Sequence, residues 1–262
     1  MAGLSFASWS CRKTQPASSG PQKGPGEAPV AAQGEAKPAR KSVLLEEVRA
    51  AMDVLTGQWE GVQSCSLKIE TNMKQAIEGP GTTQGTGSFD YSRKDPIPLV
   101  KFGMVNKLHI YYDQTKRYQT METLDILVDG EFMYSTLHQP KHWVATKTAY
   151  DPLQILPFGG PLLWKDLTEH YALSLQPDEL HLDRPVVVIQ GLPIDGDNFI
   201  SRHYFDKESG IRVKLTHVDS EGRTKLSIEV TEMTLNTTFP EGHFTFVLPE
   251  KATLVDKTLP EP

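Results

Sequence analysis

The sequence predicts a mainly β, α+β fold in which one large antiparallel sheet is accompanied by apolar helices. Three observations carry that prediction. Apolar and polar residues alternate with a period of two along much of the chain after Trp59, glycine-containing reversals separate several of the alternating runs, and helical periodicity is confined to one segment before the strands and one insertion among them. A parallel α/β arrangement needs a helix at each crossover and is disfavoured on that ground.

The elements follow in order. Residues 1–40 are expected to be a leader and flexible tether: from Arg12 to Arg40 the chain is Pro, Gly, Ala, Ser, Gln and charge, with Val30 its only large aliphatic residue, too little apolar surface to offset the entropy of ordering. Residues 41–262 are expected to form one β-domain. Its first element is a helix, with Ser42 as cap, Glu46 and Glu47 in the first turn, and Leu44, Leu45, Val48, Ala51, Met52 and Leu55 at helical spacing. Cys65, Leu67 and Ile69 then begin the period of two, which returns at Val100, Phe102, Met104, Leu108, Ile110 and Tyr112. Further strands are expected at 118–128, 132–137, 171–175, 185–190, 199–205, 211–217, 226–235 and 244–247. Asp129-Gly130, Glu208-Ser209-Gly210 and Ser220-Glu221-Gly222 place glycine where a reversal needs positive φ. In the strand from Ile211, the apolar Ile211, Val213 and Leu215 alternate with Arg212, Lys214 and Thr216, which predicts one dry and one wet face. The insertion 151–170 is unusually apolar for a connection, with a helix expected to begin near Pro161, and could lie across an open end of the sheet as a lid.

Composition narrows the function. The net charge of −6 is spread without long runs, and aromatics are not interleaved with Lys or Arg, so nucleic acid is not expected as a partner. No apolar run approaches the ~20 residues of a spanning helix. Of the two cysteines, Cys65 reads as a small buried hydrophobe. Cys11 follows Ala2-Gly3-Leu4-Ser5-Phe6-Ala7-Ser8-Trp9-Ser10 and opens the polar linker, as the lipidated cysteine of a lipoprotein does. A basic n-region is absent ahead of it; a start upstream of Met1 would supply one, and an uninformative tail is the other reading.

Chemistry-bearing motifs are few. The sequence has no G-x-S-x-G elbow, P-loop, dinucleotide glycine fingerprint, H-E-x-x-H or C-x-x-C, and the expectation is a non-enzyme with no catalytic residue, metal or cofactor. His138 and His142 flank Pro140 and read as a surface loop; His203 and His217 read as hydrogen-bonded histidines at the edge of the core. Asp129 is explained by its turn, and Asp178-Glu179 by a polar hairpin after Gln176-Pro177.

The order of these elements resembles the LolA/LolB-like outer-membrane lipoprotein carrier superfamily over about Val43 to Val255. The residues that carry the resemblance are the first helix, the hairpin Ile126-Leu127-Val128-Asp129-Gly130-Glu131-Phe132-Met133-Tyr134, the helical insertion, Tyr204-Phe205-Asp206-Lys207-Glu208-Ser209-Gly210-Ile211, and Asn236 with Phe244-Thr245-Phe246-Val247-Leu248-Pro249. Lys251 stands where that family often has glycine. The resemblance implies a half-open antiparallel β-barrel, or strongly curved sheet, with an N-terminal helix and a helical lid. It also implies an apolar cavity for acyl chains, and the residues expected to line it are Leu67, Ile69, Val100, Phe102, Met104, Phe132, Tyr134, Leu153, Leu162, Leu163, Trp164, Leu167, Phe205, Leu215 and Phe246. The expected protein is a non-catalytic periplasmic carrier of lipid acyl chains or lipoproteins, anchored to the outer membrane through Cys11. The alternative is an RseB-like envelope-stress sensor or interaction module with an envelope protein as partner.

Overall fold

The computed structural model describes residues 39–258 apart from 77–79, 112–116, 140–141, 152–157 and 195–198. Among the described residues two helices, α1 (Ala39–Gly61) and α2 (Pro161–His170), accompany twelve strands. The strands are β1 (Ser64–Ala76), β2 (Pro80–Ser92), β3 (Leu99–Tyr111), β4 (Arg117–Asp129), β5 (Phe132–Gln139), β6 (His142–Ala149), β7 (Tyr171–His181), β8 (Arg184–Pro193), β9 (Phe199–Asp206), β10 (Arg212–Asp219), β11 (Thr224–Leu235) and β12 (Thr253–Asp256). They form one sheet in the order β12-β6-β5-β4-β3-β2-β1-β11-β10-β9-β8-β7, antiparallel throughout except for the parallel edge pair β12–β6.

The sheet is curved. β7 and β11 stand four strands apart in the order, which in a flat sheet is about 19 Å. Yet His181 Nε2, at the end of β7, lies 2.8 Å from the carbonyl oxygen of Val230 in β11. Only a rolled sheet brings those atoms together. Bulges in that region, with the extra residue at Thr231 and Lys225 on β11 and at Val213 on β10, supply local bending.

Register explains what each face does, because residues directly opposite one another point the same way. One face carries the rows Cys65–Tyr91–Val100–Val128–Met133 and Leu67–Phe89–Phe102–Ile126, every member of which is buried in the main apolar core. The opposite face carries Ser66–Asp90–Lys101–Leu127–Tyr134–Lys147–Asp256. Cys65 is fully buried, and burial, reinforced by the negative charge of Asp90, pushes its thiol up to about 12. It is expected to react with an aromatic disulfide reagent only when the domain opens; modification at the rate of a free thiol under native conditions would contradict this packing.

α1 is locked to this sheet near its C-terminus. Val48, Met52, Leu55 and Trp59 recur at helical spacing on its buried side. Trp59 packs on Tyr91 at 5.0 Å between ring centroids, and its ring fills the space that side chains at Gly159 and Gly160 would need. Arg93 donates to the carbonyl oxygens of Trp59 (3.0 Å), which also accepts from Val62 N, and of Val62 (3.1 Å), and so braces the end of the helix. Gly210, at φ +66°, lets its turn touch the helix: a Cβ there would sit 2.1 Å from the Leu55 carbonyl oxygen. That turn is braced by Asp206, which accepts from Arg184 Nε (2.7 Å), Ser209 N (2.9 Å) and Ser209 Oγ (2.6 Å).

Several expectations change. α1 begins at Ala39, so Ser42 lies inside it and Glu46 and Glu47 lie beyond the first turn. Residues 178–179 are part of β7, irregular between Gln176 and Glu179, and the reversal comes at Leu182-Asp183, both at positive φ. Residues 244–247 form no strand; they belong to a strap, residues 237–252, that leads to β12. β2, β6 and β12 are additional strands.

Candidate ligand-binding site

The buried apolar residues fall into two clusters, which take successive residues of β8 and β9 (Val188 and Tyr204 in the first, Ile189 and Phe205 in the second) and so lie on opposite faces of those strands. The main core unites Leu67, Ile69, Val100, Phe102 and Met104 with Trp59, Val62 and Phe158. A second cluster unites Val48, Met52 and Leu55 of α1, Leu163, Trp164 and Leu167 of α2, and Leu173, Ile189 and Phe205 of the sheet. Of the residues expected to line a cavity, five therefore meet in the first cluster and four, Leu163, Trp164, Leu167 and Phe205, in the second. Leu215 is buried on β10. Leu162 lies on α2, whereas Leu153 and the expected lipidation residue Cys11 lie outside the described residues. Phe132, Tyr134 and Phe246 are not brought together with the rest. Met133 belongs to an inward row, so its neighbours Phe132 and Tyr134 point to the opposite face, where Phe246 stacks on Tyr134 at 4.2 Å.

The contact of α2 with the sheet is the part of this arrangement with unspent chemistry. α2 starts at Pro161, whose fixed φ suits a first helical position, and Leu163, Trp164 and Leu167 fall on one side of it. The Trp164 ring lies 4.5 Å from that of Phe205, yet its indole N–H is buried without an acceptor among the described residues. Beside Phe205 on β9, Ser201 and His203 are both buried, and Ser201 Oγ is 2.7 Å from His203 Nε2. Arg212 stands directly opposite Phe205 and places Nη1 3.2 Å from His203 Nδ1.

A serine beside a histidine invites a catalytic reading, and the tautomer argues against it. Arginine can only donate, so His203 Nδ1 must accept, the ring proton sits on Nε2, and Nε2 donates to Ser201 Oγ. A general base needs that nitrogen free of its proton. Burial, followed by the positive charge of Arg212 and the nearby His217, holds His203 well below the usual histidine value, so the ring is neutral. Among the described residues, no group of three or more His, Cys, Asp or Glu converges as a metal site requires.

Arg212 was invisible as a site residue in the sequence. Alternation assigned it to the wet face with Lys214, but the bulge at Val213 shifts the phase, so Arg212 shares a face with Phe205, His203 and Leu215. No residue type marks such a bulge in advance.

On the opposite face the strap forms an open groove. One part, about 640 Å³, lies between the strap and the strand ends at Ser64, Ser92, Arg93, Lys94 and Leu99; a second, about 500 Å³, continues past Gly130, Glu131 and Tyr134. Both include Lys94, Asp129, Phe244 and Thr245. His243 anchors the strap by bonding Asp90 at 2.9 Å, and Asp90 also accepts from Ser66 Oγ at 2.6 Å.

No family model matches the chain, and no curated protein matches it. Solved structures similar to it include MucB, at 12% identity and a TM-score of 0.46 over 77% of this chain, and the Pseudomonas aeruginosa MucA/MucB complex, at 13% and 0.41 over 76%. The chain spans 63% and 61% of the length of those two matched chains. A putative outer membrane lipoprotein-sorting protein domain from Vibrio parahaemolyticus is similar over 78% of this chain and 97% of its own, at 12% identity and a TM-score of 0.29. A LolA superfamily protein from Nitrosomonas europaea is similar over 76% and 97%, at 11% and 0.27. The likeness is one of fold: a mostly β chain whose curved, unclosed sheet is accompanied by two helices.

Proposed function

We propose that the protein is a non-catalytic binder of acyl chains, taking them between the sheet and α2, which serves as a displaceable cover. The observation that carries this reading is the division of the buried apolar residues into two clusters. α2 is held by the second cluster, which it shares with Val48, Met52 and Leu55 of α1 and which is distinct from the main core, so it can separate while the main core and the contacts of Trp59 stay intact. The floor it would uncover, Leu173, Ile189 and Phe205, is apolar.

Magnitudes make the exchange feasible. Burying Leu163, Trp164 and Leu167 contributes roughly 2–3 kcal/mol each, an upper estimate. An acyl chain contributes about 0.8 kcal/mol per methylene removed from water, so ~10 methylenes replace what α2 gives up. On this reading the protein works on the periplasmic side of a cell envelope, held near the membrane through Cys11, and its cargo is a lipid or the acylated end of a lipoprotein.

The intact protein is expected to bind a fluorescent fatty acid saturably, and Leu163→Asp to weaken that binding at least about tenfold while the main core melts as before. Absence of saturable binding by the wild-type chain, or unchanged binding by the variant, would refute the reading. A second reading, an envelope-stress sensor or interaction module, is favoured by the groove around Lys94, which is open, polar and rimmed by Phe239, Phe244 and Phe246, and suits an extended peptide better than an acyl chain.

A further inference from the structure

A donor and acceptor count around Arg212 leaves donors in excess. The Arg212 side chain carries five N–H donors and no acceptor, and it is half-buried. The ion pairs of the other described arginines involve Arg184 and Arg223; among the described residues Arg212 has no carboxylate within 4.0 Å. Its neighbour His203 offers one acceptor, Nδ1, and Arg212 takes it. Ser201 Oγ receives the proton of Nε2, which leaves its own hydroxyl hydrogen to give away. The buried indole N–H of Trp164 has no acceptor among the described residues either, and Trp164 and Arg212 both adjoin Phe205.

A cation even half withdrawn from water without its anion carries a cost, and so does a buried donor left unmade. The carboxylate whose field reaches Arg212 is that of Asp166, on α2, and it stands nearer to His170, at 3.6 Å. Lifting α2 would carry Asp166 away and leave Arg212 without counter-charge. What restores the balance is a guest that only accepts.

We propose that Arg212, with Ser201 and Trp164 as further donors, is the head-group site for an anionic amphiphile, a carboxylate or phosphate carried on an acyl chain that lies along Leu173, Ile189 and Phe205. The inference rests on the acyl-binding reading and adds to it the charge of the cargo. Gly191 fits this use. A Cβ there would press on the Tyr171 side chain at 3.0 Å, so the absent side chain leaves room for that ring at Gly191, which stands opposite Ser201 on β9.

The test compares oleate, oleyl alcohol and inorganic phosphate on the intact protein by calorimetry. Oleate is expected to bind at least about tenfold more tightly than the alcohol, the size of a charge-assisted hydrogen bond. Arg212→Gln is expected to bring oleate down to the affinity of the alcohol. Equal binding of oleate and alcohol by the wild-type chain would overturn the head-group site and leave acyl binding standing; no binding of either would overturn both. Arg212-dependent binding of phosphate alone, with no gain from the acyl chain, would overturn the amphiphile and make this a free-anion site. The wild-type comparison decides the matter even if the variant fails to fold.

Discussion

Alanine at Gly210 is expected to cost the domain about 3–5 kcal/mol, enough to unfold much of the population at ordinary temperature. Two costs combine. The position has φ +66°, where a side chain adds roughly 1–2 kcal/mol, and the new Cβ would sit 2.1 Å from the carbonyl oxygen of Leu55. The obstacle is helix backbone, so the turn and α1 must part, and that movement disturbs the packing of Trp59 against Tyr91 and Gly159. Gly222 separates the two costs, because it has φ +77° and nothing within 4 Å of its Cβ position. Gly222→Ala should therefore lose only about 1 kcal/mol. Urea midpoints of the two variants check this; equal losses would show that Gly210 serves conformation alone and that α1 is not clamped there.

The sequence made the inward rows legible and left their coverings obscure. Leu67 and Ile69 alternate with Ser66, Lys68 and Glu70, Phe102 and Met104 with Lys101 and Gly103, and register carries that alternation from strand to strand. β2 escaped notice because its first half is Pro, Gly, Thr and Gln; its strand state is imposed by pairing with β1 and β3 along its length. Phe244 and Phe246 alternate like a strand, yet Phe246 is used to stack on Tyr134 and the backbone beside it pairs with nothing in the sheet. Alternation also cannot say which of two apolar sets faces inward. Met133 and Tyr134 are both apolar enough for a core, and only the ladder shows Met133 joining Val128 while Tyr134 faces the strap. Arg212 is the sharpest case, since one bulged residue moved it from the wet face into the neighbourhood of His203.

Acid is expected to destabilise the fold steeply from about pH 6.5 downward, well above the range in which carboxylates protonate. His203 is held well below its usual value by burial, by the charge of Arg212 and by the nearness of His217; His217 is lowered to about 4 by burial and by Arg212. Both are neutral in the native protein, facing Arg212 from β10, Tyr171 from β7 and Phe199 from β9. Above the unfolded value of about 6.5 neither state binds the proton and nothing is lost. As pH falls below that value the unfolded chain takes up protons that the native state refuses. Each histidine then removes about 1.4 kcal/mol per pH unit, and for His217 the loss continues until the native ring titrates near pH 4. Two such residues over two units amount to about 5 kcal/mol, comparable with the whole stability of many domains. Asp206 acts later and in the same direction: burial raises its carboxyl, but bonds from Arg184 and Ser209 outweigh that and hold it below the usual value, so its contribution is lost as pH falls through the acid range. Denaturant midpoints measured from pH 8 to 4 should fall mainly below 6.5, and His217→Gln should remove about half of the slope. A midpoint unchanged between pH 6.5 and 4.5 would show that these rings already accept protons in the folded state, and that the layer between α2 and the sheet is wetter than its packing implies.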